Sequence, residues 1–87
     1  MKLILCKSCQ DVVRLREEEE RFCSCGKCSG QYSDELNAWY KGGDDVIPLG
    51  FANSTLVTAF KNQPDRGWGE HFTAFVIPKQ CPTFKKK

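Results

Sequence analysis

Five of the six cysteines fall within the first 28 residues, in two tight clusters. Cys6 and Cys9 make a C-x-x-C pair, and Cys23, Cys25 and Cys28 follow in the run C-S-C-G-K-C. Two short thiol clusters separated by a strand-length stretch can fold back on each other and hold one tetrahedral Zn²⁺. With only 87 residues the chain builds a small hydrophobic core. A structural metal then contributes folding free energy directly.

Spacing assigns Cys6 and Cys9 as the first ligand pair and leaves the second open. Cys25 and Cys28 repeat the C-x-x-C spacing. Cys23 and Cys25 stand closer together, which works when Gly26 lets the chain turn. Cys25 belongs to both solutions. Either set is a closed thiolate tetrahedron that holds a fold but leaves no coordination position for activating water. Cys81 lies far from both clusters and is not needed by one zinc; it reads as cover for the end of the last strand.

The compartment matters to this reading. Met1–Leu5 begins like a secretory leader but runs straight into Cys6 and Lys7. No apolar run approaches the roughly 18 residues that would span a membrane. The expected location is the cytoplasm, where clustered cysteines read as metal ligands before disulfides. The formal net charge is +2, with Lys85, Lys86 and Lys87 supplying three of the thirteen positive charges. Without them ten positive charges face eleven negative ones. Four thiolates on zinc make the body more negative still. No strongly basic face is apparent, so nucleic-acid binding has to rest on a local patch.

The pattern predicts a single domain over residues 1–87, a small zinc-stabilised α+β fold. Zinc-ribbon-like knuckles and hairpins occupy 1–30. A compact, mostly β core extension with one or two short helices occupies 31–78, and a loose basic tail occupies 79–87. Strands are expected over Lys2–Leu5, Val12–Leu15 and Arg21–Phe22, with Glu17–Glu20 as a solvated turn. Ser33 is placed to cap a helix running to Tyr40, with strand as its rival. Leu49–Asn53 reads as a loop, and a second helix, with Asn53 or Ser54 as its cap and strand as its rival, covers Leu56–Lys61. Gln63–Gly67 is a turn. Glu70–Ile77 is the best strand, apolar on both faces and suited to a central position.

The arrangement Cys6-x-x-Cys9, a hairpin, then Cys23-Ser24-Cys25-Gly26 resembles a zinc ribbon. More of the chain resembles a group of small uncharacterised phage proteins. The resemblance continues through Cys28, Gly30-x-Tyr32, Leu36-Asn37-Ala38, Pro48–Asn53, Ala74–Pro78 and Cys81. Members of the wider C-x-C-G group often lack a counterpart of Cys28, which favours Cys6, Cys9, Cys23 and Cys25 as ligands, with Cys28 the alternative to Cys23. The resemblance implies a bacterial host cytoplasm and a host-directed accessory role; it implies no reaction.

An enzyme is not expected. His71 is the lone histidine, set within the best strand, and reads first as structural and then as a binding residue. Trp39, Tyr40, Trp68 and His71 are the candidate contact residues. Balanced charge and aromatic content favour a protein-interaction module directed at a bacterial host protein, such as an inhibitor. The alternative is a nucleic-acid-binding zinc ribbon using Arg14, Arg16, Arg21 and Lys27, although Glu17–Glu20 sits among them and repels phosphate. No membrane partner is expected; a homo-oligomer is compatible with the sequence.

Overall fold

A computed structural model describes residues 1–87 as two four-stranded sheets with one α-helix. The strands are β1 Lys2–Cys6, β2 Val12–Arg14, β3 Arg21–Phe22, β4 Ser29–Tyr32, β5 Ala38–Lys41, β6 Val46–Phe51, β7 Ala74–Val76 and β8 Phe84–Lys86. Helix α1 spans Asn53–Lys61, and a 3₁₀ turn at Gly43–Asp45 leads into β6. The first sheet has the order β2-β1-β6-β7 and the second β3-β4-β5-β8. This is the small mixed α+β domain that the sequence predicts.

The core forms where the sheets meet. Ile4 and Cys6 of β1, Val13 of β2 and Leu15 just after it pack with Cys23, Cys28, Ala38, Tyr40 and Phe84. Alternation along each strand puts these side chains inward: Ala38 and Tyr40 are buried in β5 while Lys41 is exposed. Tyr40 meets Phe84 edge to face, with ring centroids 4.8 Å apart.

Several local expectations are corrected. The helix over Ser33–Tyr40 does not form. Asp34 Oδ1 accepts hydrogen bonds from the backbone N–H groups of Leu36 at 2.8 Å and Asn37 at 2.7 Å. The N–H of Ser33 donates to the Asn37 carbonyl at 2.7 Å, closing a turn between β4 and β5. A short acidic side chain competes here for the amides a helix would need. The second helix does form, beginning at Asn53, but without a side-chain cap. Asn53 Oδ1 instead accepts from the Met1 ammonium at 2.9 Å.

Leu49–Phe51 is strand, not loop, because β6 runs through Pro48. The proline is tolerated by position. Opposite Ile4 in the β1 register, it turns its carbonyl toward β7 and accepts from the N–H of Ile77 at 2.9 Å. Lacking an N–H, Pro48 cannot return that bond, and the β7 ladder covers only Leu49–Phe51.

The strand expected over Glu70–Ile77 shrinks to Ala74–Val76 and lies at a sheet edge, with all three residues exposed. Its first half is drawn to α1 instead. The Thr73 N–H donates to Thr55 Oγ1 at 2.9 Å, and Asn62 Nδ2 donates to Glu70 Oε1 at 3.2 Å. The tail is not loose. Strand β8 pairs in parallel with β5, placing Phe84 opposite Ala38, and the Lys87 N–H donates to the Tyr40 carbonyl at 2.7 Å.

Candidate metal centre

The first knuckle joins β1 to β2. Cys6 closes β1, and its carbonyl accepts from the Gln10 N–H at 2.7 Å while its own N–H reaches the Asp11 carbonyl at 3.0 Å. Gln10 takes a left-handed φ of 61°, which tightens the turn that carries Cys9. The second knuckle joins β3 to β4. Cys23 and Cys28 face each other at its base, the Cys23 N–H bonding the Cys28 carbonyl at 2.9 Å. Gly26 supplies the φ of 81° at its tip.

These knuckles bring Cys6, Cys9, Cys23 and Cys25 together, with their four sulfurs all within 4.8 Å of one another. Cys6 and Cys25 sulfurs are 3.7 Å apart, and Cys23 and Cys25 sulfurs 3.5 Å. A tetrahedron of thiolates with Zn–S bonds of about 2.3 Å has edges of about 3.8 Å. The cluster is therefore geometrically consistent with a structural Zn²⁺ site in a zinc-ribbon-like motif. The four cysteines would hold the ion as a saturated thiolate set, whose contribution is cohesion.

The converging set includes Cys23 and omits Cys28. Cys28 is fully buried. Its backbone N–H points at the Cys23 sulfur, 3.3 Å away, a contact that favours thiolate on Cys23. Burial and the neighbouring sulfurs push the Cys28 thiol up to about 12, the state suited to a core residue. For Cys23 burial acts upward too, but the Cys28 N–H and the sulfurs of Cys25, Cys6 and Cys9 outweigh it and bring its pKa to about 6. The Cys9 backbone N–H chiefly lowers Cys6. Cys25 is favoured as thiolate by the Lys27 N–H, yet desolvation and the adjacent sulfurs push it to about 11. Within the cluster the hydrogen bonds favour thiolate on Cys23 and shift Cys6 the same way, while the neighbouring sulfurs oppose it on Cys25.

The two knuckles belong to different sheets, Cys6 to the first and Cys23 and Cys25 to the connection within the second. The site is a clasp between sheets. A second tie supports it: Asp11 Oδ2 accepts from the Ser24 N–H at 2.9 Å and from its hydroxyl at 3.0 Å. Asp11→Ala should weaken zinc affinity roughly tenfold without changing the one-to-one stoichiometry, as removal of an outer support does. Competition with a colorimetric chelator measures this; unchanged affinity would remove Asp11 from the site.

Gly42 packs on the same core. A Cβ there would lie 2.7 Å from the Cys28 sulfur and 2.9 Å from Val46 Cβ. Gly42→Ala is therefore expected to destabilise the fold by about 1–3 kcal/mol through overpacking, read by chemical denaturation.

The candidate contact residues are not brought together. Tyr40, expected on the surface, is only 2% exposed and fills the core, so it is not a stacking platform. Trp39 is half-buried, with Lys87 Nζ over its ring at 4.0 Å and Lys41 Nζ at 5.5 Å. Trp68 is 97% exposed. His71 is exposed and precedes the short strand, so it is not the core histidine that its sequence position suggests. Cys81 is half-buried against the core, its sulfur 3.6 Å from Thr83 Oγ1.

No helix is long and apolar enough to cross a membrane. No protein-family model, curated protein or solved structure matches the chain. What the geometry carries is a small β-rich domain whose Cys6–Cys9–Cys23–Cys25 cluster fits a structural zinc ion.

Proposed function

We propose that the protein is a zinc-stabilised protein-interaction module, non-enzymatic, that acts on a bacterial host protein as an inhibitor or accessory factor. The supporting observation is the segment from α1 to β7. Ala59 is the only buried residue of α1, while Phe60, Trp68, Phe72, Phe75 and Val76 are all exposed along the same stretch of chain. Exposed aromatics offer large contact area at modest entropic cost. The zinc knuckles lie elsewhere in the chain, between β1 and β2 and between β3 and β4.

The bacterial setting rests on the resemblance to small phage proteins. The nucleic-acid alternative draws less support. Burial of Tyr40 removes one stacking candidate, and the Trp39 ring is covered by Lys87. Arg14 and Arg16 share their surface recess with Glu17, Glu18 and Glu35.

The test is affinity capture from bacterial cells before and after nuclease treatment, with wild type and with a Phe60→Ser/Trp68→Ser variant. A partner that survives nuclease and falls at least about tenfold in the variant is expected, as for loss of anchor aromatics. Capture abolished by nuclease, or indifferent to both substitutions, would overturn the reading.

A further inference from the structure

A groove of about 970 Å³ runs between β6, the end of β7 and the approach to β8. None of the four converging cysteines lines it, although Lys7 follows Cys6 and Val46 is the register partner of Cys6. Its floor includes Val46, Ile47, Val76 and Ile77. Four lysines line it, Lys7, Lys79, Lys85 and Lys86, against the single carboxylate of Asp44. The sequence hides this concentration because the four lysines come from three separated stretches of chain.

The groove has a backbone origin. Strand β1 pairs with β6 along Val46–Gly50, but on the other side β7 reaches only Leu49–Phe51. The Ile77 N–H bonds the Pro48 carbonyl, and Pro48 has no N–H to give back. The chain then departs at Pro78. Beside Val46 and Ile47 the sheet therefore lacks the strand that continuing β7 would have supplied. Asp45, just before β6, and Phe51 at its end bond toward β1, through the Lys7 N–H to Asp45 carbonyl bond and the Phe51 N–H to Met1 carbonyl bond. The same alternation turns the backbone of Val46 toward the groove.

We propose that this groove receives an extended acidic segment of a partner protein, laid beside Val46 and Ile47 beyond the point where β7 stops. An extended segment meets apolar floor and cationic wall with alternate residues, so carboxylates face the lysines while aliphatic side chains cover Ile47 and Ile77. Lysines on an edge strand also discourage self-pairing, which accounts for Lys85 and Lys86. It does not account for Lys7 and Lys79, which stand outside β8 and line the same groove. A peptide fits better than nucleic acid because Tyr40, the aromatic of the lining, is buried and presents no face for a base. The proposal rests on the interaction reading above and names the chemistry of the partner.

The test uses the zinc-loaded, ¹⁵N-labelled full chain and three probes: a short peptide alternating glutamate and valine, its lysine–valine counterpart, and oligothymidylate. The acidic peptide should shift the amides of Val46, Ile47, Ile77 and Lys79. A Lys79→Glu/Lys85→Glu variant with an unchanged zinc content should bind it at least about tenfold more weakly, with a reduced salt dependence. Equal binding of the lysine–valine peptide, shifts confined to other surfaces, or no binding overturns the proposal. Tighter binding of oligothymidylate at the same amides transfers the groove to nucleic acid and also overturns it. The two readings fail separately. A cellular partner lost in Phe60→Ser/Trp68→Ser but retained by the lysine variant leaves the interaction module standing without this groove. Peptide binding in the groove with no nuclease-resistant cellular partner does the reverse.

Discussion

Replacing Cys6 with serine is expected to abolish stoichiometric zinc binding and to leave the chain largely unfolded. Cys6 is the one ligand that lies within a regular strand, at the end of β1 and fully buried. Its sulfur faces Cys25, which belongs to the other sheet's connection. A structural zinc site contributes an apparent binding free energy of about 10–16 kcal/mol. A domain of this length has a net stability of only about 4–13 kcal/mol. The first term matches or exceeds the second over most of these ranges, so losing most of it leaves little net stability. Cys9→Ser, Cys23→Ser and Cys25→Ser should behave alike, because each removes a member of the converging set. Cys28→Ser is the control: it should keep one zinc per chain and lose stability by packing alone, since Cys28 fills the core beside Gly42. Elemental analysis with far-ultraviolet circular dichroism reads both quantities. Full zinc content in Cys23→Ser together with loss in Cys28→Ser would exchange the two residues' roles.

The thiol cluster was legible because metal-ligand spacing is a local property. Cys6 and Cys9, and then Cys23 and Cys25, sit on tight turns whose geometry a few residues determine. The exclusion of Cys28 was not legible from spacing, since Cys25–Cys28 repeats the C-x-x-C spacing of Cys6–Cys9. It depends on the Cys28 side chain turning into the core against Gly42, a residue 14 positions later. The strands over Lys2–Cys6 and Arg21–Phe22 were visible as short apolar or amphipathic runs leading into cysteines. The errors lie where a distant partner decides. Ser33–Tyr40 satisfies helix patterning locally, but Asp34 captures two amides and β4 pairs with Ala38–Lys41. Glu70–Ile77 carries strong strand patterning, yet a strand needs neighbours: β6 ends at Phe51 opposite Ala74, and the Thr73 N–H goes to Thr55 of α1 instead. The basic groove shows the same limit, because Lys7, Lys79 and Lys85 meet only through sheet topology.

Phe84→Ala should be the most damaging substitution outside the cysteine cluster, although it lies only three residues before Lys87. The basic composition around it suggests a solvated tail. The fold instead places Phe84 opposite Ala38 in a parallel ladder, fully buried, with its ring against Tyr40. Truncating a buried phenylalanine costs about 3–5 kcal/mol through lost transfer energy and the cavity left behind. For a domain of this size that lowers the melting temperature by about 15 °C or more. Removing Lys85–Lys87 is a different perturbation. It deletes the Lys85 and Lys86 pairing with Trp39 and Tyr40, the Lys87 N–H bond to the Tyr40 carbonyl and the ammonium over Trp39, but leaves Phe84 in the chain. The expected loss is about 1–2 kcal/mol. Thermal melts should therefore fall from zinc-loaded wild type to the Lys85–Lys87 deletion to Phe84→Ala. Zinc content should remain one per chain in all three at low temperature, because the knuckles do not include β8. A Phe84→Ala protein that melts with the wild type would show that β8 does not belong to the core. A lysine deletion as damaging as Phe84→Ala would instead assign the strand's contribution to its backbone pairing with β5, leaving the buried ring a minor part of it.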